Sequence, residues 1–440
     1  MQIDRKIDRK TPPPFVLPEK LSLPAEQMFE LGNGAKLWTL KAGTQDVIRL
    51  TLVFDAGTRR QAHPFVASSM LNMLSEGTEK YTAGQVSERL DFYGIYYDTS
   101  IDRDYAMITV SCLNRFLPET LELLEEIVVR PAFLPGELDI YRTKRKQQLK
   151  VEREKPAYIA RELFAEALFG PEHPYGIVSS EDDYDGVTVE MLRDYHREFF
   201  GADNMFAVAS GMLGDDQQAA VREMLSAIGK RNAPADSVTA KPVTLPFMFR
   251  ERGDAMQSSI RIGKLLFPKG HPDFGGMQVL AMVLGGYFGS RLVDNLREEH
   301  GYTYGVYSAM LNMKYEGYIA IATDVAGEHT ADAVDEIFAE IERLRTEIIP
   351  DQELDMVRNI IVGEMMRILD GPFGIADVTI ENIQNGDDND ALNKFLDQVR
   401  CITPARLQEL AVRYLDPATF TTVVVGGEGM KQWLVRNNLG

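Results

Sequence analysis

Two side chains whose types and spacing could do chemistry, Arg297 and Tyr304, stand seven residues apart in the stretch 285–308. A guanidinium is a fixed cation with several hydrogen-bond donors, and a phenol hydroxyl can donate or accept. The sequence around them predicts a glycine turn, a short helix that begins at the N-cap Ser290 and ends at Gly301, and then a strand. We therefore expect Arg297 and Tyr304 on either side of a helix-to-strand corner, where both can reach one point. The same residues are also common as a solvated charge and a half-buried core ring, so the spacing alone does not establish a site.

The strand after this corner is predicted from its run of β-forming residues. Strict alternation would send its side chains to opposite faces of a sheet. One set is Tyr302, Tyr304, Val306 and Ser308, and the other is Thr303, Gly305 and Tyr307. Tyr304 is thereby expected on the face that also carries Val306.

Composition is typical of a globular protein with more than one core, since 45% of the 440 residues are hydrophobic. The formal net charge of -19 opposes nucleic-acid binding, because the phosphate backbone would be repelled. The basic run 142–150 is followed by Glu152 and Glu154, which indicates a solvated face of mixed charge rather than a binding patch. No nucleic-acid partner is expected.

The N-terminal segment shows no sign of export or of membrane insertion. Residues 1–14 pass from charged residues into three prolines without an apolar core, and no run of about 18 apolar residues occurs. Cys112 lies in a strand-like run and Cys401 just before a helix start, so buried thiols are expected rather than a disulfide. The cytoplasm is the expected compartment, with no membrane contact.

The first half of the chain alternates predicted strands and helices. The pair Asn33-Gly34 predicts a type I′ hairpin between two short strands in 29–40. Further strands are predicted at 47–54, 105–113 and 205–211, and helices at 67–74, 83–93, 117–129, 137–154, 157–168 and 188–200.

The second half repeats this order at an offset of 215 or 216 residues. The matched pairs include Glu137 and Glu353, Pro156 and Pro372, Ala160 and Ala376, Thr188 and Thr403, Leu192 and Leu407, Phe199 and Tyr414, and Gly211 and Gly426. Two homologous α+β domains, 1–232 and 246–440, are therefore predicted, joined by a polar, proline-containing linker. Strands at both ends of each repeat indicate a mostly antiparallel sheet covered on one face by helices. Such a pair could close as a clamshell on a shared cavity.

The chain resembles the pitrilysin/insulinase superfamily of inverzincin zinc metallopeptidases over nearly its whole length. The segment Ser290-Arg291-Leu292 followed by Arg297-x6-Tyr304 is similar to the signature of the family's C-terminal domain. Three further landmarks occur in the family's order, namely Asn33-Gly34, Gly77-Thr78 and His173-Pro174-Tyr175-Gly176. The resemblance implies paired α+β domains around a peptide chamber, with the arginine and the tyrosine reaching into the active site.

The chain departs from this family at the zinc site. The family carries H-x-x-E-H on a helix before a Gly-Thr pair, with two histidines for the metal and a glutamate that activates water. The corresponding positions here are Ser68, Leu71 and Asn72, and none of these side chains can play its role. A third ligand would come from the helix that carries Gln148, Glu152 and Glu154, but a carboxylate alone does not hold zinc. The six histidines are all far apart in sequence, so no metal is expected in this chain.

The resemblance implies a role as the non-catalytic subunit of a heterodimeric zinc metalloendopeptidase. The partner would carry H-x-x-E-H, the zinc and the zinc-bound water. In that pattern this chain supplies its catalytic side chains in trans: Tyr304 donates to the oxyanion and Arg297 holds a substrate carbonyl. A heterodimer is expected, or a homodimer when the chain is isolated.

Two other functions stay open at this point. The first is a metal-free scaffold, as in family members that resemble the core proteins of the respiratory cytochrome bc₁ complex. The second is a peptide-binding protein without hydrolysis, in which an extended peptide adds to a sheet edge. An acidic chamber would favour basic peptides, but net charge does not show where the charges lie.

Overall fold

The computed structural model describes residues 17–235, 238, 240–427 and 430, so the N-terminal arm up to residue 16 lies outside the described residues. The strands are β1 (Glu26–Glu30), β2 (Lys36–Lys41), β3 (Val47–Phe54), β4 (Tyr96–Ile101), β5 (Ala106–Leu113), β6 (Met205–Gly211), β7 (Phe247–Glu251), β8 (Gln257–Leu266), β9 (Thr303–Asn312), β10 (Gly317–Ala326) and β11 (Thr421–Gly426). The α-helices are α1 (Val66–Met73), α2 (Ala83–Tyr93), α3 (Leu117–Val129), α4 (Pro135–Glu152), α5 (Pro156–Phe169), α6 (Val189–Phe199), α7 (Asp215–Ala227), α8 (Phe274–Ala281), α9 (Thr330–Thr346), α10 (Asp351–Ile368), α11 (Pro372–Gln384), α12 (Ala391–Cys401) and α13 (Pro404–Tyr414). Two π-helical turns span Met282–Gly286 and Val293–Glu299.

The strands form two sheets with the same internal order. The first sheet runs β1-β2-β6-β3-β5-β4, and the second runs β7-β11-β8-β10-β9. All strand pairs are antiparallel except β2 with β6 and β7 with β11, which are parallel. If β1 is set aside, the two sheets correspond strand for strand. The predicted repeat and the α+β class with mostly antiparallel sheets are therefore confirmed, while the division at 1–232 and 246–440 stays a prediction.

Each sheet has a main core on the face that its own helices cover. In the first half, the amphipathic helices α1, α3, α6 and α7 bury their apolar stripes against β3 and β5. In the second half, α8, α9, α10, α12 and α13 pack on β8 and β10 in the same way. In each half, the burial of apolar surface between the helices and the sheet stabilises this packing.

The inner face of each sheet is covered by one helix from the other half. Helix α5 packs on the second sheet, where Phe164 and Leu163 lie with Val423 and Val425 of β11. Helix α11 packs on the first sheet, where Ile375 lies with residues of β2, β3 and β6. The two halves of the clamshell are thus joined by an exchange of equivalent helices.

A buried ionic network adds a polar joint between the halves. Asp104 accepts hydrogen bonds from Arg59 Nε at 2.7 Å and from the Tyr175 hydroxyl at 2.6 Å. Its other carboxylate oxygen accepts from the backbone N–H of Lys314, at the tip of the β9–β10 hairpin, at 3.0 Å. The Lys314 ammonium reaches Asp55 at 2.5 Å. Because charged groups this deep need partners, the network fixes the hairpin tip of the second half against the first.

Two further sequence predictions have structural outcomes. Both cysteines are free, with Cys112 buried as expected, but Cys401 is exposed at the end of α12, so the prediction of a second buried thiol was wrong. Among the residues described, no helix combines the length and the apolar character that a bilayer crossing needs.

Candidate functional site

The segment that carries Arg297 is a helix interrupted by two π-helical turns. Helix α8 continues into the turn Met282–Gly286, the chain extends at Tyr287, and Gly289 takes a positive φ of 94° before the helix resumes. A Cβ at Gly285 would lie 2.9 Å from the Cβ of Ser308 on β9, so only glycine allows this close approach. The segment therefore packs directly against the strand that carries Tyr304.

The ends of this segment were predicted with mixed success. Gly301 has a positive φ of 66° and closes the helix as expected, since the N–H of Tyr302 donates to the carbonyl of Leu296 at 2.8 Å. Ser290 was expected as the N-cap, and it does precede the first helical residue, since its carbonyl accepts from the N–H of Asp294 at 2.9 Å. The expected side-chain cap was wrong, because its hydroxyl is buried without a partner among the described residues.

Arg297 lies on the surface, where its guanidinium stacks over the ring of Phe288 at 4.9 Å. Its nearest carboxylate is the exposed Glu298 at 3.4 Å, and 38% of the Arg297 side chain is accessible. Phe288 is itself largely exposed. A ring beneath a guanidinium restricts its motion while leaving its donors available. Sequence reasoning did not single out Phe288, because no helical or strand periodicity links it to Arg297.

Tyr304 is 93% exposed, so it is not a core ring. It sits in a β-bulge, because Val306 pairs with Thr323 whereas Thr303 pairs with Val325, which leaves Tyr304 and Gly305 opposite one residue of β10. The Thr303 hydroxyl donates to the carbonyl of Asp324 at 2.7 Å and holds the bulge. A bulge redirects side chains and interrupts alternation. The strict alternation predicted to place Tyr304 on the face of Val306 is therefore interrupted by the bulge, and Tyr304 is exposed whereas Val306 is buried.

Buried polar contacts support this corner from below. Arg291 forms a two-point ion pair with Glu353 of α10, with both distances at 3.0 Å. The amide of Asn295 donates to Glu336 and Glu340 of α9 at 2.9 and 3.1 Å. These contacts tie the Arg297 segment to two long helices, so it is held in one position.

The structure places Arg297 and Tyr304 at one corner of the second half. The backbone bond from Tyr302 to Leu296 joins the neighbour of Arg297 to a residue two positions before Tyr304. The degenerate zinc positions lie elsewhere, on α1, which packs against α4, α6 and β4 of the first half. The turn that carries Arg297 packs on the strand that carries Tyr304, whereas α1 packs within the first half.

The residues on α1 do not fit a zinc ion. The Ser68 hydroxyl donates to the carbonyl of Phe65 at 3.2 Å, and the Asn72 amide donates to the carbonyl of Ser68 at 2.8 Å. Leu71 is fully buried in the first core. Each of the three side chains is thus occupied by local hydrogen bonding or by packing.

The residues considered for a third ligand do not complete a site. Gln148 and Glu152 are exposed on α4, and Glu154 lies 3.3 Å from Arg252. Across the described ranges, no group of three or more histidine, cysteine, aspartate or glutamate side chains is arranged to hold a metal. Among the described residues, no other side chains therefore replace the two metal-binding histidines and the water-activating glutamate of the motif.

Comparison with known proteins agrees with the fold and indicates a family. Residues 38–174 match the family model "Insulinase (Peptidase family M16)", and residues 186–361 match "Peptidase M16 inactive domain". A Mycobacterium tuberculosis protein named an uncharacterized zinc protease is 21% identical over 369 residues, 82% of this chain and 84% of that protein. Mitochondrial-processing peptidase subunit alpha of Solanum tuberosum is 23% identical over 250 residues, 56% of this chain and 48% of that protein.

A solved structure shows the same architecture. The crystal structure of a peptidase M16 inactive domain from Pseudomonas fluorescens has a TM-score of 0.84 at 21% identity, and the match covers 92% of this chain and 98% of that one. The two family models between them span most of the chain, and the zinc-binding motif is replaced by side chains that pack into or bond to their own helix. The chain therefore belongs to the insulinase-like peptidase family M16 and is a member that lacks the H-x-x-E-H motif.

Proposed function

We propose that this chain is a cytoplasmic, non-catalytic subunit of a heterodimeric zinc metalloendopeptidase, which presents Arg297 and Tyr304 to the zinc site of a homologous partner. The observation that carries the proposal is the exposure of Tyr304, which a β-bulge turns outward. An exposed phenol at a rigid corner, in a chain whose own α1 holds no metal ligand, is suited to act on a site outside the chain.

The state of Arg297 also supports this role. Its guanidinium is stacked on Phe288 and faces only an exposed carboxylate, so little free energy is needed to release it to a substrate carbonyl. A cation used for stability would be expected to have a buried partner, as Arg291 has in Glu353. Of these two arginines in one segment, Arg291 therefore stabilises the fold, and Arg297 is available to a substrate.

The proposed division of labour follows from what the chain holds. The partner would supply the metal, the attacking water and the general base. Arg297 would hold a backbone carbonyl of the substrate, and the Tyr304 hydroxyl would donate to the oxygen on which charge develops. The printed names of the relatives agree with this division, since one is a peptidase subunit and another an inactive domain of the same family.

The test is reconstitution of each variant with an H-x-x-E-H partner and a quenched fluorescent peptide. Tyr304→Phe keeps the ring but removes the donor, so kcat should fall by roughly 10² to 10³ with KM nearly unchanged. Arg297→Ala should act at least partly through KM, because its contact already exists in the bound substrate. Tyr307→Phe, at another exposed tyrosine of β9, is the matched control and should keep full activity.

The heterodimer must be verified for each variant by size-exclusion chromatography with light scattering. Full activity of Tyr304→Phe in an intact heterodimer would reject the role in trans. The metal-free scaffold would then be the better assignment.

A further inference from the structure

Three aromatic rings form a column beside the corner that carries Tyr304. The ring of Tyr302 lies between the rings of His300 and His329, with centroid distances of 4.9 and 4.5 Å and interplanar angles of 19° and 21°. His300 directly follows the π-helical turn that carries Arg297, and His329 directly precedes α9. This ring column therefore joins the turn, the chain that enters β9 and the start of α9.

Tyr302 anchors the chain where it enters the β-bulge. Its N–H donates to the carbonyl of Leu296 at 2.8 Å, and its half-buried ring packs against the second core as well as between the two histidines. Tyr304 is 93% exposed, so packing of its own ring does not fix its direction. The direction of the Tyr304 side chain therefore depends on the backbone on either side of it.

The far side of the bulge offers Tyr304 little support. Gly305 is exposed and has no side chain, and Val306 is the next buried residue of β9. On the near side, the Thr303 hydroxyl lies 3.0 Å from the Thr323 hydroxyl and holds the strand to β10. The ring column is then the side-chain packing that holds the chain between the turn and this bond.

The groups nearest to the ring column favour protonated histidines. Glu336 Oε1 of α9 lies 4.0 Å from His300 Nε2, and Glu328 Oε1 lies 3.6 Å from His329 Nε2. His300 stands at the C-terminal end of its turn, where partial negative charge favours a cation. His329 stands at the N-terminal end of α9, where the helix dipole opposes a cation, but Asp332 adds a negative charge in the first turn.

The other charged residues of these elements do not reverse the balance. They are Asp294, Arg297, Glu298 and Glu299 of the turn, Asp324 of β10, and Asp335, Glu340 and Arg343 of α9. The two arginines are themselves paired, with Glu298 at 3.4 Å and with Glu340 at 2.9 Å. An imidazolium on either face of Tyr302 would therefore have a carboxylate within reach and an electron-rich ring beneath it.

We propose that Tyr302 is a positioning residue for Tyr304. Its ring, held between His300 and His329, fixes the backbone from which the Tyr304 side chain projects, and protonation of the two histidines tightens this hold. Histidine changes charge between about pH 5 and 8, and a cation is attracted to the face of an aromatic ring. The hold is therefore tightest when both histidines are protonated and weakens as pH rises. This inference rests on the proposed function and deepens it, since it assigns a regulation by pH to the same site.

Hydrogen exchange on the full chain, without a partner, tests the ring column separately from catalysis. After correction for the intrinsic exchange rate at each pH, the protection of amides in 302–306 should rise by about threefold from pH 8 to pH 6. The double variant His300→Gln with His329→Gln should lose this rise. His271→Gln is the matched control, because His271 also stacks on an aromatic ring of the second half, Phe267 at 3.8 Å. It should keep the rise in 302–306.

Kinetics of the reconstituted heterodimer then test the link to Tyr304. Each variant is compared with the parent at the same pH, so the partner's own pH dependence cancels. The double histidine variant should match the parent at pH 8 and show a kcat about threefold lower at pH 6, with KM unchanged. Tyr302→Leu should lower kcat by about tenfold, because it removes the stacked ring. Tyr302→Phe keeps both ring faces and should restore kcat and its pH dependence.

Three results would overturn the proposal: protection in 302–306 that does not change with pH, a rise that survives in the double histidine variant, or a Tyr302→Phe heterodimer no more active than Tyr302→Leu. If Tyr302→Leu does not fold, the double histidine variant still decides. Any of the three results together with an intact effect of Tyr304→Phe would leave the proposed function standing. Full activity of Tyr304→Phe would instead reject the proposed function, and the exchange data would still show whether the ring column holds the bulge.

Discussion

The two halves of this chain share a strand order but treat their matching positions differently. In the first half, α1 follows β3, and its candidate ligand positions are turned to packing and to local hydrogen bonds. In the second half, the segment after α8 ends at a corner where Arg297 and Tyr304 are accessible. The side chains on α1 therefore contribute to packing and local hydrogen bonding, whereas Arg297 and Tyr304 are exposed and are not needed to pack the second half.

The inner faces show the same difference. On the first sheet Arg49 pairs with Asp377 of the exchanged helix α11, whereas on the second sheet Arg261 has Asp324 of the neighbouring strand β10 at 3.9 Å. Because both positions lie where an exchanged helix meets a sheet, the fold itself does not demand either arrangement.

The largest loss of stability is expected when the H-x-x-E-H motif is restored on α1 of the first half. Ser68→His, Leu71→Glu and Asn72→His together should give an unstable protein, since Leu71→Glu places a carboxylate in the core at a cost of about 3 to 5 kcal/mol. The double variant without Leu71→Glu is the control and should lie within about 1 kcal/mol of the parent. Urea denaturation gives these differences.

A related prediction concerns the zinc content of the unmodified chain. The unmodified chain is expected to hold no stoichiometric zinc after dialysis against a weak chelator, because Ser68, Leu71 and Asn72 stand where the family has its two histidines and its glutamate. Metal analysis of untagged protein measures this. One zinc per chain, or chelator-sensitive cleavage by the triple variant, would contradict the picture of α1 as a packing helix.

The next effect concerns the joint between the halves. Asp104→Asn keeps the shape but removes the charge that faces Arg59 in a buried place, so we expect a loss of about 3 kcal/mol in the free energy of unfolding. Asp324→Asn removes a half-exposed carboxylate and should cost less than about 1 kcal/mol. Equal losses of stability in the two variants would show that the buried network around Asp104 does not hold the tip of the β9–β10 hairpin against the first half.

The sequence predicted the elements well where local signals were complete. The limits predicted for β3, α2, α3 and β6 agree with the structure, because capping residues or continuous apolar runs mark their ends. The edge strand β4 was missed, since Tyr96–Ile101 is polar and half exposed. At Asn33-Gly34 only Gly34 has a positive φ, so the type I′ turn was wrong, because the Asn33 amide is used to bind the carbonyls of Leu225 and Ile228.

The candidate site was predictable in its residues but not in its geometry. Resemblance selected Arg297 and Tyr304, and no local pattern could have shown that Tyr304 is exposed, because its bulge depends on the register between β9 and β10. The stacking of Arg297 on Phe288 depends on the turn at Gly289. The packing of α5 on the second sheet depends on the exchange of helices between the halves, which is a tertiary event. Such features follow from packing rather than from periodicity.

A smaller effect is expected in how the stability of the two halves depends on pH. Burial lowers the pKa of His196 on α6 to about 4, although its bond to the carbonyl of Val128 opposes the shift. The unfolded chain binds this proton near pH 6.5, so stability is complete above that pH and is lost as pH falls toward 4. The second half has Ala411 at the matching position, so it lacks this sensitivity.

The measurement compares the parent with His196→Gln, which does not titrate. The stability advantage of the parent at pH 7 should shrink by about 2 kcal/mol at pH 4.5. Hydrogen exchange should show α6 losing protection before α13 in the parent. A constant difference between the two proteins across this range would mean that His196 is protonated as easily in the folded state as in the unfolded state.

The smallest effect belongs to the ion pair of Arg49 and Asp377. The Asp377 side chain is 60% exposed, so its ion pair with Arg49 is screened by solvent and should contribute less than about 1 kcal/mol. A double-mutant cycle with Arg49→Ala and Asp377→Ala, followed by urea denaturation, gives this coupling directly. A weak coupling would mean that the fold does not depend on this ion pair, although the pair joins the exchanged helix α11 to the first sheet. A coupling above about 2 kcal/mol would mean that the ion pair, and not apolar packing alone, holds α11 on the first sheet.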